Sequence, residues 1–96
     1  MTREEVRTAL IEAITELQRE SGDPTPEIKD DTRPLMDITN FDSIRAVEVE
    51  AVMSEKLGRE VTEIAFKDGS QTRPLTITRI VDGIIASLTP RAPRTP

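Results

Sequence analysis

Apolar residues recur at helical intervals in the first part of the chain. They lie three or four positions apart in the series Val6, Ala9, Leu10, Ala13, Ile14 and Leu17. This period predicts an amphipathic helix over about 3–20. Thr2 and Glu5 have the spacing of a capping box, which favours a helix start at this point. Gly22 is placed to end the helix with a left-handed turn.

Two further segments show the same helical period. Asp42 is a good N-cap for a helix that continues to Leu57, and Gly58 is suited to its C-terminal turn. The last apolar series predicts a helix that closes the fold, and it consists of Ile77, Ile80, Val81, Ile84, Ile85 and Leu88.

Shorter segments complete the organisation of the chain. Residues 61–66 have room for one or two helical turns, whereas 67–74 have the Gly, Pro and polar content of a loop. Residues 89–96 contain a proline at every third position and predict a disordered tail. We therefore expect an all-α domain over 1–88, a small four-helix bundle with three main helices and a short third helix.

The connection between the first two helices is long and rich in proline. It nevertheless contains more apolar residues than a free linker needs. We expect these residues to anchor the connection across the bundle, and they are Ile28, Leu35, Met36, Ile38 and Phe41.

The second predicted helix has two apolar stripes, where a surface helix normally has one. The longer stripe contains the larger residues and is assigned to the core; it comprises Ala46, Val49, Met53 and Leu57. The shorter stripe comprises Ile44, Val47 and Ala51 and shares its side of the helix with Glu48 and Glu55. Periodicity leaves two interpretations open. The shorter stripe is either a docking surface with an acidic rim or a face buried beneath the long connection.

Composition excludes several kinds of chemistry. The 96 residues include no Cys and no His, so thiolate chemistry, disulfides and the commonest general base are absent. An autonomous enzyme is therefore disfavoured. The formal net charge is −5, and two of the 13 basic residues lie in the tail. An acidic domain favours basic protein partners over nucleic acid or anionic membranes. The sequence shows no export signal or membrane span, so we expect a cytoplasmic protein.

Acidic residues of the long connection offer one alternative. Asp30, Asp31 and Asp37 could supply oxygen ligands to a hard metal ion. Their spacing is not that of a calcium-binding hand. Solvated loop charge is the simpler interpretation, and we expect no metal site.

Ser43 lies where the long connection meets the second predicted helix. The positive end of a helix dipole favours an anion there, so a phosphodiester on this hydroxyl would be electrostatically favourable. Taken alone, however, an Asp-Ser pair before a helix is more often capping chemistry.

The wider context of Ser43 resembles a known family. The segment IKDDTRPLMDITNFDSIRAVEVEAVMSEKLGREV resembles the acyl carrier protein family, in which an extended loop ends in Asp-Ser-Leu/Ile and leads into the recognition helix. The resemblance covers about residues 3–88. It implies that a phosphopantetheinyl transferase attaches 4'-phosphopantetheine from coenzyme A to Ser43, with Asp42 as the flanking motif residue. The matching partner-facing positions are Ile44, Val47, Glu48 and Ala51, with Glu55 on the same side.

The resemblance also implies a function and a set of partners. The chain would be a monomeric, non-catalytic carrier that presents acyl thioesters to enzymes of fatty-acid, polyketide or related acyl metabolism. These enzymes would have basic docking surfaces. An aminoacyl or peptidyl carrier, or a helical adaptor without a prosthetic group, remain alternatives. An acyl chain could be sheltered between helices by Val47, Ala51, Met53, Phe66 and Ile80.

The chain departs from the family pattern at several points. Asn40 stands where glycine is frequent in the family, although Asn tolerates positive φ better than any other non-glycine residue. Phe41 marks a stretch that is one residue longer than usual. Arg45 replaces an acidic or neutral residue and should reduce the negative field beside Ser43. The loop 67–74 resembles an insertion before the last helix. These departures indicate a specialised carrier.

Overall fold

The computed structural model describes residues 2–68 and 73–88. In that part of the chain the fold is mostly helical, which confirms the predicted class. An isolated antiparallel bridge joins Lys67 to Pro74, and the tail predicted at 89–96 lies outside the described residues. The helices are α1 (Arg3–Ser21), α2 (Pro34–Asp37), α3 (Ser43–Leu57) and α4 (Ile77–Leu88).

The predicted ends of α1 and α3 are confirmed. The Thr2 hydroxyl accepts from the Glu5 backbone N–H, and the Glu5 carboxylate accepts from the Thr2 N–H, which completes the capping box. Gly22 and Gly58 end the two helices at φ values of 74° and 66°. This left-handed conformation is disfavoured for residues that have a Cβ.

The core lies where α1 packs against both α3 and α4. It is almost entirely aliphatic, and the two phenylalanines, Phe41 and Phe66, meet with ring centroids 5.5 Å apart. Each fully buried Leu, Ile or Met contributes about 1.5–3 kcal/mol relative to an exposed one. The largest of these buried side chains are Leu10, Ile14, Met53, Ile77 and Ile80.

The long connection lies against the bundle, as predicted, except at one residue. Ile38 and Phe41 are buried, and Ile28 and Leu35 are half-buried against the core. Met36, which was expected to be an anchor, is 66% exposed.

The connection also caps the N-terminus of α4. The backbone N–H groups of Ile77 and Thr78 donate to the carbonyls of Thr32 (2.8 Å) and Asp30 (3.1 Å). The Asp30 carboxylate in turn accepts from Arg7 Nε at 2.6 Å. First-turn amides of α4 that no helical carbonyl can reach therefore have partners in the connection.

The predicted short helix at 61–66 is wrong, because α3 side chains satisfy the backbone of this segment. The Val61 N–H donates to Ser54 Oγ at 2.9 Å, and the Glu63 N–H donates to Glu50 Oε1 at 3.1 Å. Glu63 has a φ of 56°, which is incompatible with a right-handed helix. These contacts hold the segment in an irregular conformation.

A different short helix, α2, lies before α3 inside the long connection. Pro34 occupies its first turn, where a missing N–H has no cost. The Asp37 carboxylate accepts from the Arg33 N–H at 2.8 Å and so satisfies another amide at the helix start. The described residues contain four helices, as many as predicted, but the short helix predicted at 61–66 is absent and α2 was not predicted.

Candidate functional site

Ser43 is the first residue of α3, and its side chain is exposed. The Asp42 carboxylate accepts from the Arg45 N–H at 2.9 Å, so Asp42 is the N-cap that the sequence predicted. Asn40 has a φ of 60°, which confirms that this residue adopts the positive φ that Asn was expected to tolerate. Phe41 is buried between this turn and the helix and anchors the entry into α3.

The shorter apolar stripe of α3 is exposed. Ile44 is 71% exposed, Val47 is 63% exposed and Ala51 also lies at the surface. Glu48 and Glu55, which share this side in sequence, are exposed as well. The alternative in which the long connection buries this stripe is therefore wrong. We call Ile44, Val47 and Ala51 the exposed stripe.

The longer stripe of α3 faces the core, as predicted. Val49 and Met53 have no exposed surface, Ala46 is buried and Leu57 is half-buried. This stripe packs toward α1, whereas the opposite side of α3, with Ile44 and Val47, faces solvent. The rotation of the helix thus determines the exposure of Ser43 and the exposed stripe together.

A groove of about 320 Å³ lies between α3 and the irregular segment 61–67. Its surface is mostly apolar, with a carboxylate and an ammonium group among its lining residues. We call it the Ser43 groove. It is lined by Leu35, Ser43, Ala46, Val47, Glu50, Ile64, Ala65, Phe66 and Lys67.

The Ser43 groove differs from the acyl shelter that the sequence predicted. Val47 and Phe66 do line it. Met53 and Ile80 instead lie in the closed core, and Ala51 is on the exposed stripe. The groove is therefore a surface feature beside Ser43 and does not extend between the helices of the core.

A polar network beneath Ser43 was missed at the sequence level. Arg45 Nη1 donates to Gln18 Oε1 at 2.7 Å and to Asp23 Oδ2 at 2.8 Å. Gln18 is completely buried. Its position four residues after Ile14, within the apolar stripe of α1, was the available signal, because a buried polar side chain requires partners. We call these contacts the Arg45 network.

The Arg45 network contains a largely buried ion pair. The Arg45 and Asp23 side chains are only 16% and 18% exposed. Hydrogen bonds from Arg45 and then from Asn40 lower the pKa of Asp23 below its ordinary value. Arg45 and Asp23 therefore offset each other's charge, and the expected effect of Arg45 on the field beside Ser43 stays a prediction.

The three loop aspartates do not converge. Asp30 pairs with Arg7, and Asp37 accepts from the backbone of Arg33. In residues 2–68 and 73–88, no three acidic side chains are close enough together to hold a metal ion.

Comparison with known proteins identifies no relative of this chain. No protein-family model, curated protein or solved structure matches it. Among the helices described above, none is both long enough and apolar enough to cross a membrane. The functional interpretation therefore depends on the residues around Ser43.

Proposed function

We propose that this chain is a carrier protein in which Ser43 receives 4'-phosphopantetheine from coenzyme A. In this role it holds acyl groups and presents them to enzymes of fatty-acid, polyketide or related acyl metabolism. One observation carries the proposal. Ser43 is the first residue of α3, and its exposed side chain lies beside both the Ser43 groove and the exposed side chains of Ile44 and Val47.

The residues around Ser43 fit the prosthetic group chemically. The positive end of the α3 dipole favours the negative charge of a phosphodiester on Ser43. Lys67 lines the adjacent groove and adds a cation on that side. The apolar lining of the groove suits an extended, mainly neutral arm or its cargo. When bound, the group supplies a terminal thiol that holds an acyl group as a thioester.

The role of the chain in its own modification is to present a nucleophile. The Ser43 oxygen attacks the β-phosphorus of coenzyme A, a new P–O bond forms, and the bond to the adenosine 3',5'-bisphosphate leaving group breaks. The Ser43 proton passes to a base on the transferase, which also supplies the metal ion. No residue of this chain needs to act as an acid or a base.

The exposed stripe supplies the docking surface in this proposal. Ile44 and Val47 offer apolar area for burial against a partner, while Glu48 and Glu55 steer basic surfaces toward it. Docking beside Ser43 brings the tethered acyl group to the partner enzyme at high effective concentration. Delivery of the cargo follows from this proximity.

The proposal depends on the region of Ser43 rather than on the whole fold. The acyl carrier family has a short helix after its recognition helix, whereas residues 61–66 are irregular in this chain. The Ser43 groove lies against that irregular segment. Any cargo held there would meet a wall of different shape, which fits a specialised carrier.

Intact-mass measurement tests the proposal directly. The protein is incubated with a broad-specificity phosphopantetheinyl transferase, Mg²⁺ and coenzyme A. We expect the mass to rise by one phosphopantetheinyl group in the wild type and in the control Ser21→Ala, whose serine is also exposed. We expect no change in Ser43→Ala. An unmodified wild type, or a mass increase that persists in Ser43→Ala, would contradict the carrier function.

The docking surface has a separate test. Ile44→Asp replaces an exposed side chain, so the free energy of unfolding should change by no more than about 0.5 kcal/mol. We expect kcat/KM for modification by the transferase to fall about tenfold. Unchanged kinetics in the folded variant would show that the exposed stripe is not the docking surface for the transferase.

A further inference from the structure

The Arg45 network joins three segments around Ser43. Arg45 lies two residues after Ser43, and its guanidinium contacts Gln18 at the end of α1 and Asp23 at the start of the connection. Gln18 Nε2 also donates to the carbonyls of Pro24 (3.1 Å) and Thr39 (2.8 Å). One buried side chain of α1 is thereby bonded to both ends of the connection.

The same network fixes the turn before Ser43. Asn40 Nδ2 donates to Asp23 Oδ1 at 2.8 Å, and Asn40 has the positive φ that redirects the chain into α3. Asp23 therefore uses one oxygen for the turn and the other for the helix, through Arg45. Asn40, three residues before Ser43, and Arg45, two residues after it, are thus attached to a common acceptor.

We propose that Arg45 is a positioning residue for the modification of Ser43, an inference that rests on the proposed function. Arg45 does not reach the reacting atoms. It locks the first turn of α3 and the Asn40 turn in one relative orientation, so that the Ser43 hydroxyl is presented to the transferase in a single geometry.

Energetics favour a positioning role over a purely stabilising one. Desolvation offsets much of the attraction within a largely buried ion pair, so such a pair is a weak source of net stability. Charge-assisted hydrogen bonds are directional, however, and two of them from one nitrogen define the position of the guanidinium. A displacement of about 1 Å at a reacting group can reduce a rate by about 100-fold. Removing Arg45 alone also leaves Gln18 and Asp23 without their shared donor, which costs stability, so the kinetics of the folded variants are what test positioning.

Steady-state kinetics of the transferase reaction test this inference. Arg45→Ala, Arg45→Lys and the control Arg79→Ala, at an exposed arginine of α4, are compared at saturating coenzyme A and well below their unfolding temperatures. We expect Arg45→Ala to lower kcat/KM at least tenfold. Arg45→Lys should recover part of the loss, because an ammonium group can still bond to both acceptors. Arg79→Ala should match the wild type.

Two further measurements separate positioning from stability. Amide hydrogen exchange at Ala46, which donates to the Asp42 carbonyl, should accelerate in Arg45→Ala while amides in α4 keep their wild-type rates. Asp23→Asn preserves the shape of the acceptor and removes its charge, so it should lower kcat/KM to a smaller extent even if Arg45→Ala fails to fold.

The possible outcomes distinguish the two proposals. Wild-type kinetics in folded Arg45→Ala, or in Asp23→Asn when Arg45→Ala does not fold, would overturn the positioning role and leave the carrier function intact. An unmodified wild type would overturn both. Equal losses in Arg45→Ala and Arg79→Ala would show a general charge effect and would also refute positioning.

Discussion

Helix propensity and tertiary contacts predict opposite effects of Ser54→Ala on the free energy of unfolding. Ser54 lies within α3, where Ala is favoured over Ser by about 0.5 kcal/mol. On propensity alone, the variant should be more stable than the wild type. The structure predicts the reverse, because Ser54 Oγ is the acceptor for the Val61 N–H.

The magnitude follows from the burial of Val61. Val61 is only 2% exposed, so its N–H has no access to water once the Ser54 hydroxyl is removed. A buried donor left without an acceptor costs about 1–3 kcal/mol. After the gain in helix propensity is subtracted, Ser54→Ala should be less stable by about 0.5–2.5 kcal/mol.

Urea unfolding followed by far-UV circular dichroism measures this difference. With a slope near 1 kcal/mol per molar urea for a small domain, the midpoint should fall by about 0.5–2.5 M. Ser87→Ala is the matched control, because among the described residues its hydroxyl donates to the Ile84 carbonyl of the same helix, at 2.8 Å. The control should remain within about 0.5 kcal/mol of the wild type. If Ser54→Ala were as stable as Ser87→Ala, the role assigned to this hydroxyl would be incorrect.

Three other predictions concern the core, a helix end and pH. Met53→Ala truncates a side chain with no exposed surface and should reduce the free energy of unfolding by about 2–5 kcal/mol in urea titrations. Gly58→Ala should destabilise the protein by about 1 kcal/mol, because the φ of Gly58 is 66°. Gly83→Ala should stabilise it by a similar amount, since an added Cβ meets open space and Ala is the better helix former. Thermal unfolding should therefore show a lower midpoint for the first variant and a higher one for the second. The contact between Asp23 and Arg45, which lowers the Asp23 pKa, contributes stability above pH 4 that is lost as acid protonates Asp23. The stability difference between the wild type and Asp23→Asn should therefore disappear as pH falls through that lowered pKa, and a pH-independent difference would contradict it.

The long helices could be predicted because local signals agreed with tertiary packing. In α1 the capping box, the apolar period and Gly22 all indicated the same boundaries. In α3 the two stripes were visible in the sequence, and the larger one faced the core. Which way the smaller stripe faced could not be decided from periodicity, because that depends on the path of the long connection.

The irregular conformation of residues 61–66 could not be predicted because the contacts that compete with a helix there are tertiary. Residues 61–66 have enough apolar content for a helical turn, but Ser54 and Glu50 of α3 accept from the backbone of this segment. Such acceptors become visible only when α3 and the segment are placed side by side. The four-residue helix that begins at Pro34 is likewise too short to show a helical period in the sequence.

At the candidate site, the motif residues could be identified from the sequence, whereas the hydrogen-bond network that holds them could not. The positions of Asp42 and Ser43 at the start of α3, and the membership of the shorter stripe, could be read from the sequence, whereas the exposure of that stripe could not. The partners of Arg45 lie 22 and 27 positions away, and no local pattern connects such distant residues. Gln18 was the one internal signal, since a polar residue on a buried stripe has to find a partner elsewhere.

The placement of α1 between α3 and α4 also affects how the protein is made. On the ribosome, α1 is synthesised before both of its partners, and the later of these two helices ends at Leu88. At about 5–20 residues per second, several seconds pass before α4 can dock. Throughout that interval the apolar face of α1 lacks part of its cover, and nascent chains halted before residue 77 should be sensitive to proteases and bound by chaperones.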